Sequence, residues 1–358
     1  MGHRYIGSKT KILDAVLEKI DEIAPARGHV VDLMTGTASV AAALRSAGFR
    51  VTAVDIMTYP YHHARVALLL KQAPRFSDAK DFIDKYAPKY TEGQDNYSRI
   101  LEALNLVSER RGYFWNEFSV EGKPKDATKA RNYFSPANAK KIDAMRYWIK
   151  NLHAKKKITD VEHSLLLHDL IMAANDVANI SGTYGHYLSK LAGRATDPIK
   201  LKPTHFTISF NATGHKILKG YAEELAKKID CDLCYIDPPY MKRQYAANYH
   251  ILETLAREDS PKAVGESGLR PWRDQYSNFC TKTKIRDSFR KIFIDMKCED
   301  FLISYSEDGL LKLDELTSFL SQFGRVAVST IENKRFRSNQ SKLKDTLTEY
   351  LIHLRIKP

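Results

Sequence analysis

The stretch HVVDLMTGTASVAAALRSAGFRVTAVDI, residues 29–56, reads as one strand–helix–strand unit. His29 to Gly36 is a short apolar run that ends in an acid and a glycine turn. Ser39 to Gly48 carries helical spacing, with Gly48 as its C-terminal stop, and Arg50 to Ile56 is a second apolar strand. Working outward, HHARVALLLKQ (residues 62–72) is the next helix. Upstream, Ser8 is placed to cap a helix with Ile12, Leu13, Val16, Leu17, Ile20 and Ile23 on one face, closed by Pro25. Strands that alternate with helices of this length imply a parallel sheet built from βαβ units.

The alternation stops between about residues 75 and 203. That segment is rich in Lys, Tyr and Asn, includes SERRGYFWNEFSVEGKPKDATKARNYFS (residues 108–135), and regains helical periodicity only at 137–152 and 161–180. We expect an inserted, mainly helical domain at 75–203, with 1–74 and 204–358 forming the sheet domain. Sheet patterning resumes with HKILKG (215–220), LCYID (233–237), DFLISYS (300–306), RVAVSTIE (325–332) and TEYLIHLRIK (348–357). The basic stretch NKRFRSNQSKLKD (333–345) between the last two offers no crossover helix, so the final strand is expected to run antiparallel.

At 358 residues, two domains are the expectation. No window of about 18 apolar residues spans a bilayer, and MGHRYIGSKTKIL at the start has no apolar signal core. These features point to a cytoplasmic protein with no membrane partner. Four cysteines are too few for a disulfide framework, and the CxxC of Cys231 and Cys234 has no second pair at zinc spacing. His62, His63, His163, His168 and His186 lack acids or thiols at ligand spacing, so no metal is expected. The net charge of +13 favours a polyanion, because neutralised phosphates release counterions, although a solvated basic surface has the same composition. Nineteen tyrosines interleaved with Lys and Arg tilt the reading toward stacking on bases.

Two loops carry candidate chemistry. Asp32 ends the first strand, and the turn Thr35-Gly36-Thr37-Ala38-Ser39 presents backbone N–H groups at a helix N-terminus. GxGxxG is absent, so an ordinary βα turn remains an alternative. Asp55 ends the neighbouring strand about 20 residues on, where a ribose diol is commonly held. Together they argue for an adenosine-containing cofactor. The second loop is Asp237-Pro238-Pro239-Tyr240, at the end of LCYI. Each proline fixes φ, lacks an N–H and restricts the residue before it, so the corner is stiff. It offers one carboxylate, a fixed carbonyl and an aromatic face. An exocyclic base amine is a poor nucleophile, and acceptors at Asp237 and the Pro238 carbonyl draw its nitrogen toward a tetrahedral state while Tyr240 stacks on the ring. A plain proline-rich turn is the bland alternative.

DPPY resembles the catalytic motif of amino-group methyltransferases that use S-adenosylmethionine. Three further features resemble the Dam-like (D12 class, α-group) adenine-specific DNA methyltransferases: RYIGSKTKIL (4–13), the order of motifs around a long insertion, and YIDPPYMKRQYAANYHILETLA (235–256). GTYGHYLSKL (182–191) also resembles a segment of that family. The resemblance implies a doubly wound, mostly parallel, seven-stranded Rossmann-like α/β sheet with an antiparallel last strand, and an inserted helical target-recognition domain. It implies S-adenosylmethionine as cofactor, with Tyr5, Gly7, Ser8 and Lys9 at its methionine end and Lys9 on its carboxylate. Asp32, Thr35, Gly36, Thr37, Ala38 and Ser39 would pass beneath it, Asp55 and Ile56 would meet the ribose, and Tyr221 the adenine. The usual second glycine of the turn is Ala38, tolerable at negative φ, and Gly220 stands where members often have an acid. Asp237, Pro238, Pro239 and Tyr240 would do the chemistry on a flipped adenine in double-stranded DNA. Lys242, Arg243, Gln244, Tyr245 and Tyr249 would contact DNA beside the motif. Arg110, Arg111, Trp115, Lys129, Arg131 and Tyr133 would do so from the insertion. The implied function is site-specific adenine-N6 methylation in a bacterial or phage restriction-modification system, with a cognate endonuclease that acts on the same site without stable contact. Cytosine-N4 methylation, RNA adenine methylation and a silent DNA-binding protein on the same fold are the alternatives.

Overall fold

The computed structural model describes residues 9, 12–24, 26–89, 91–191, 193–206, 212–334 and 346–357. The chain forms two units. The sheet unit comprises Gly7–Leu68, Ser209–Tyr245 and Gln275–Pro358, and the other comprises chiefly Leu69–Ile208 and Ala246–Asp274.

The sheet unit holds β1 (His29–Asp32), β2 (Arg50–Asp55), β3 (Lys216–Lys219), β4 (Leu233–Ile236), β5 (Asp300–Ser306), β6 (Gly324–Lys334) and β7 (Thr346–Ile356). Their order is β3-β2-β1-β4-β5-β7-β6. The pairs from β3 through β5 are all parallel, while β7 runs antiparallel to both β5 and β6. The expected seven-stranded, mostly parallel α/β sheet with an antiparallel last strand is therefore present. β1 has β2 on one side and β4 on the other, so the strand order reverses at β1, and the carboxyl ends of the strands there are where open α/β sheets bind their ligands.

The central strands read as continuous apolar runs because both faces of the sheet are covered. Successive residues serve opposite cores. Val30, Leu233, Tyr235, Leu302 and Leu351 pack with Val16, Ile20, Ala41 and Leu44 from the first two helices. Val31, Cys234, Ile236, Phe301, Ile303 and Ile352 pack with Phe289, Ile292, Leu316 and Phe319. The first helix is Leu13–Ile23, with Ile12 at its N-cap position and no side-chain cap, which corrects the expected start at Ser8.

In the other unit, helix Pro136–Ala154 starts from Ser135, whose side chain accepts the Asn138 N–H, with a proline in the first turn. Helix Asp160–Asp176 has a full capping box between Thr159 and Glu162. Leu165, Leu166, Leu167, Leu170 and Ile171 are all fully buried, so this helix lies inside the unit rather than along its surface. It ends at Asp176, four residues short of the periodicity read at 161–180. Ala246–Asp274 joins this unit, whereas the sequence reading gave everything after 203 to the sheet domain. The physical cause is local: helix His250–Arg257 buries Ile251, Leu252 and Leu255, and the His250 ring bonds the Tyr184 carbonyl at 3.0 Å. No helix of the described residues is long and apolar enough to cross a membrane.

Candidate active site

The loops after β1 and β2 are stitched together. The Thr35 hydroxyl donates to the Asp32 and Val54 carbonyls, and the Thr35 N–H donates to Val54 O. The Gly36 N–H donates to Asp55 Oδ2 at 2.9 Å, and the Met57 N–H donates to Asp55 Oδ1 at 2.9 Å. Gly220, at the end of β3, donates its N–H to the Asp55 carbonyl, which sets Tyr221 at the N-cap of the helix Ala222–Leu225. The Ile56 carbonyl accepts from Gln275 Nε2. Thr37 and Ser39 hydroxyls lie 3.3 Å apart at the helix start.

Ala38 departs from expectation. It sits at φ 61°, ψ 18°, in the left-handed region where Cβ crowds the backbone. The turn requires this, since Ala38 N–H closes back on Thr35 O while its own carbonyl accepts the Ala42 N–H of the helix. Glycine would adopt this conformation without strain. Ala38→Gly should therefore raise thermal stability by about 0.5–1 kcal/mol, after its own entropic penalty. A lower melting temperature for that variant would contradict the reading.

Asp32 is 1% exposed, and its Oδ2 has no hydrogen-bond partner among the described residues. Burial, then the nearby charges of Asp237 and Asp55, push its pKa up to about 8; the Ala41 N–H acts in the opposite direction. A buried acceptor left open in this way is costly unless a ligand uses it.

Across from it, the Asp237 side chain is 17% exposed and lies 3.2 Å from Lys9 Nζ. Burial pushes its pKa up to about 6; Lys9 lowers it and Glu349 raises it. Lys9 is itself buried, held 3.0 Å from Glu349 Oε2 and 5.3 Å from the Tyr240 ring centroid. Burial alone would disfavour its charge, but Asp237, Tyr240 and Glu349 outweigh that and hold its pKa well above the usual lysine range. Lys9 was expected on a cofactor carboxylate, whereas its ammonium here sits between two protein carboxylates. Pro238 is buried and Pro239 half-buried. Tyr240 is 8% exposed, edge-on to Tyr305, and its carbonyl accepts the Leu310 N–H. Tyr5, Gly7 and Ser8 lie outside the described residues.

The expected DNA contacts divide. Lys242 and Arg243 are exposed. Gln244 is occupied, donating to Ser277 O and accepting the Ser277 N–H, so it clamps the loop. Tyr245 is half-buried, and Tyr249 is fully buried and so corrected from a DNA contact to a core residue. In the helical unit Arg110, Arg111 and Lys129 are exposed, Arg110 lying 4.1 Å from the Tyr147 ring centroid and Arg111 4.8 Å from that of Trp115. Arg131 is fully buried, paired with Glu117 at 2.5 Å and donating to the Gly265 carbonyl, and it too is corrected from phosphate contact to internal tie. Tyr133 is likewise buried, its hydroxyl donating to Tyr184 O.

A family model described as "D12 class N6 adenine-specific DNA methyltransferase" matches residues 5–319. The chain belongs to this family. It is 32% identical over 355 residues to the Type II methyltransferase M.FokI of Planomicrobium okeanokoites, an alignment covering 98% of this chain and 52% of that protein. It is 29% identical over 359 residues to the modification methylase StsI of Streptococcus sanguinis, covering 99% of this chain and 52% of that protein. The Type II methyltransferase M.NlaIII of Neisseria lactamica is 28% identical over 344 residues, covering 94% of this chain and 93% of its own length. This D12-family chain thus spans about half the length of M.FokI and StsI. Glu349 is the site residue that sequence reasoning missed. The available clue was a lone acid near the start of an apolar strand expected to enter antiparallel, which delivers that acid to the carboxyl rim.

Proposed function

We propose that this chain is an S-adenosylmethionine-dependent DNA adenine-N6 methyltransferase and the modification enzyme of a restriction-modification system. The observation that carries the reading is the Asp237-Pro-Pro-Tyr240 corner at the end of β4, on the carboxyl rim beside β1, whose terminal Asp32 has a buried oxygen open among the described residues. Asp32, the Thr35–Ser39 turn, Asp55 and Tyr221 fit a nucleoside cofactor, since they combine an acceptor oxygen unpartnered among the described residues, a helix N-terminus and an acid on the adjacent strand. S-adenosylmethionine supplies an electrophilic methyl group on a sulfonium. The protein's part is to accept hydrogens of the adenine amine on the Asp237 carboxylate and Pro238 carbonyl, to support the base with Tyr240, and to align nitrogen with methyl. With the donor already activated, no strong base is required. After transfer the amine gives up one proton, for which Asp237 is the nearest acceptor.

The helical unit would supply target recognition through exposed cations paired with aromatic rings. Arg110→Ala and Arg111→Ala should each weaken duplex binding about uniformly across sequences and reduce the slope of log K against log salt by about 1. A slope unchanged in both variants would remove these residues from the interface. The function itself is tested by incubating the chain with duplex DNA and methyl-labelled S-adenosylmethionine, then digesting the DNA to nucleosides. Label in N6-methyldeoxyadenosine supports the reading. Label in N4-methyldeoxycytidine, label only when RNA replaces the duplex in a parallel reaction, or no transfer would replace it.

A further inference from the structure

The pairing of Lys9 with two carboxylates is more than a cofactor clamp needs. Glu349 enters on β7, which alone among the described strands runs opposite to the other six, so residues near its start lie at the carboxyl rim. There Glu349 registers with Ser306, at the end of β5, and β5 itself flanks β4, the strand that ends at the Asp237 corner. The strand end is fixed: Glu307 N–H donates to Thr348 O, and Thr348 N–H to Glu307 Oε1. Glu349 is 8% exposed and donates nothing to the sheet's apolar core, so its position calls for a polar reason.

We propose that Glu349 is a positioning residue that shares the Lys9 ammonium with Asp237, leaving the Asp237 carboxylate basic enough to accept hydrogens from the substrate amine. Two acids 3.0 and 3.2 Å from one ammonium divide a single positive charge. With Lys9 and Asp237 alone, the pair would neutralise itself, and the carboxylate would be a poor acceptor for a weakly acidic N–H. The third charge returns a net negative to the group. The directions agree, since Glu349 raises the Asp237 pKa and Lys9 lowers it. The other ionisable groups facing this cluster among the described residues are Asp32 from β1, Tyr235 from β4, Tyr240 from the corner itself, and Asp308 acting on Tyr240. None of these forms an ion pair with Lys9, whose ion-pair partners among the described residues are Asp237 and Glu349.

This inference rests on the methyltransferase reading, and its test separates the two. Single-turnover methylation of duplex DNA is measured against pH for the wild type, Glu349→Gln and Glu349→Asp, with cofactor affinity and melting temperature alongside. In Glu349→Gln the whole ammonium falls to Asp237. The plateau rate should drop about tenfold, the acid limb should move to lower pH, and cofactor affinity should stay within about twofold. Glu349→Asp keeps the charge but withdraws it by about one methylene, so it should restore most of the rate and return the limb toward wild type. Were the Gln variant to lose its fold, the Asp variant decides: a smaller rate loss with a limb shifted the same way supports the assignment. A rate and limb identical to wild type in the folded variants would overturn it. A wild type that transfers no methyl group to DNA would overturn the methyltransferase reading instead.

Discussion

Asp237→Ala should lower methyl transfer to DNA by about 10³-fold or more while S-adenosylmethionine binding stays measurable. The change removes the one carboxylate of the corner, and with it the acceptor that pulls electron density toward the amine nitrogen. Lys9 would then turn wholly to Glu349, with which it is already in contact, so the fold of the rim survives. In the wild type the single-turnover rate should rise with pH through about 6, because the acceptor must be ionised and burial raises Asp237 to that value. Loss of cofactor binding in parallel with activity would mean that Asp237 holds the cofactor rather than the base amine.

Asp32→Asn should trade function for stability. Its folded pKa of about 8 lies above the value of about 4 for an unfolded aspartate, with burial the leading cause. The stabilising contribution of a raised carboxyl is fully present below pH 4 and is lost as pH rises through 8, where the folded chain must carry a buried charge next to those of Asp237 and Asp55. Asparagine removes that charge. The melting temperature of the variant should therefore exceed wild type by several degrees at pH 8 in the absence of ligand, the difference shrinking toward pH 4. Cofactor affinity should fall by about tenfold or more, since the amide oxygen takes the Ala41 N–H and an NH2 donor then faces the position the open acceptor held. A variant no more stable than wild type at pH 8 would show that Asp32 is solvated or paired in solution.

The sheet was legible because two-sided burial writes each central strand as an apolar run, and because Gly48 and the acids at 32 and 55 punctuate the unit. The stiff DPPY corner was legible for the same local reason, since proline acts on its own residue and the one before. What escaped were long-range facts. Lys9 and Glu349 are 340 residues apart, and only the insertion of β7 between β5 and β6 brings them together. Arg131 reads as a surface cation among Lys and Tyr, yet Gly268 lies so close that a Cβ there would stand 2.8 Å from its Cδ. Charge composition cannot report such a packing arrangement. Tyr249 follows the catalytic motif in sequence, but the helix after it buries its apolar face in the other unit, taking Ala246–Asp274 along. The backbone of Ala38 is set by the hydrogen bonds of its turn, which override the preference of the residue.

The most direct measurement is the crystal structure of the chain bound to a target duplex and a non-reactive analogue of the methyl donor. We expect an adenine rotated out of the helix with its N6 within about 3.2 Å of both an Asp237 carboxylate oxygen and the Pro238 carbonyl. An adenine left in the stack, or a flipped base whose amine bonds to other groups while Asp237 remains closed on Lys9, would contradict the account.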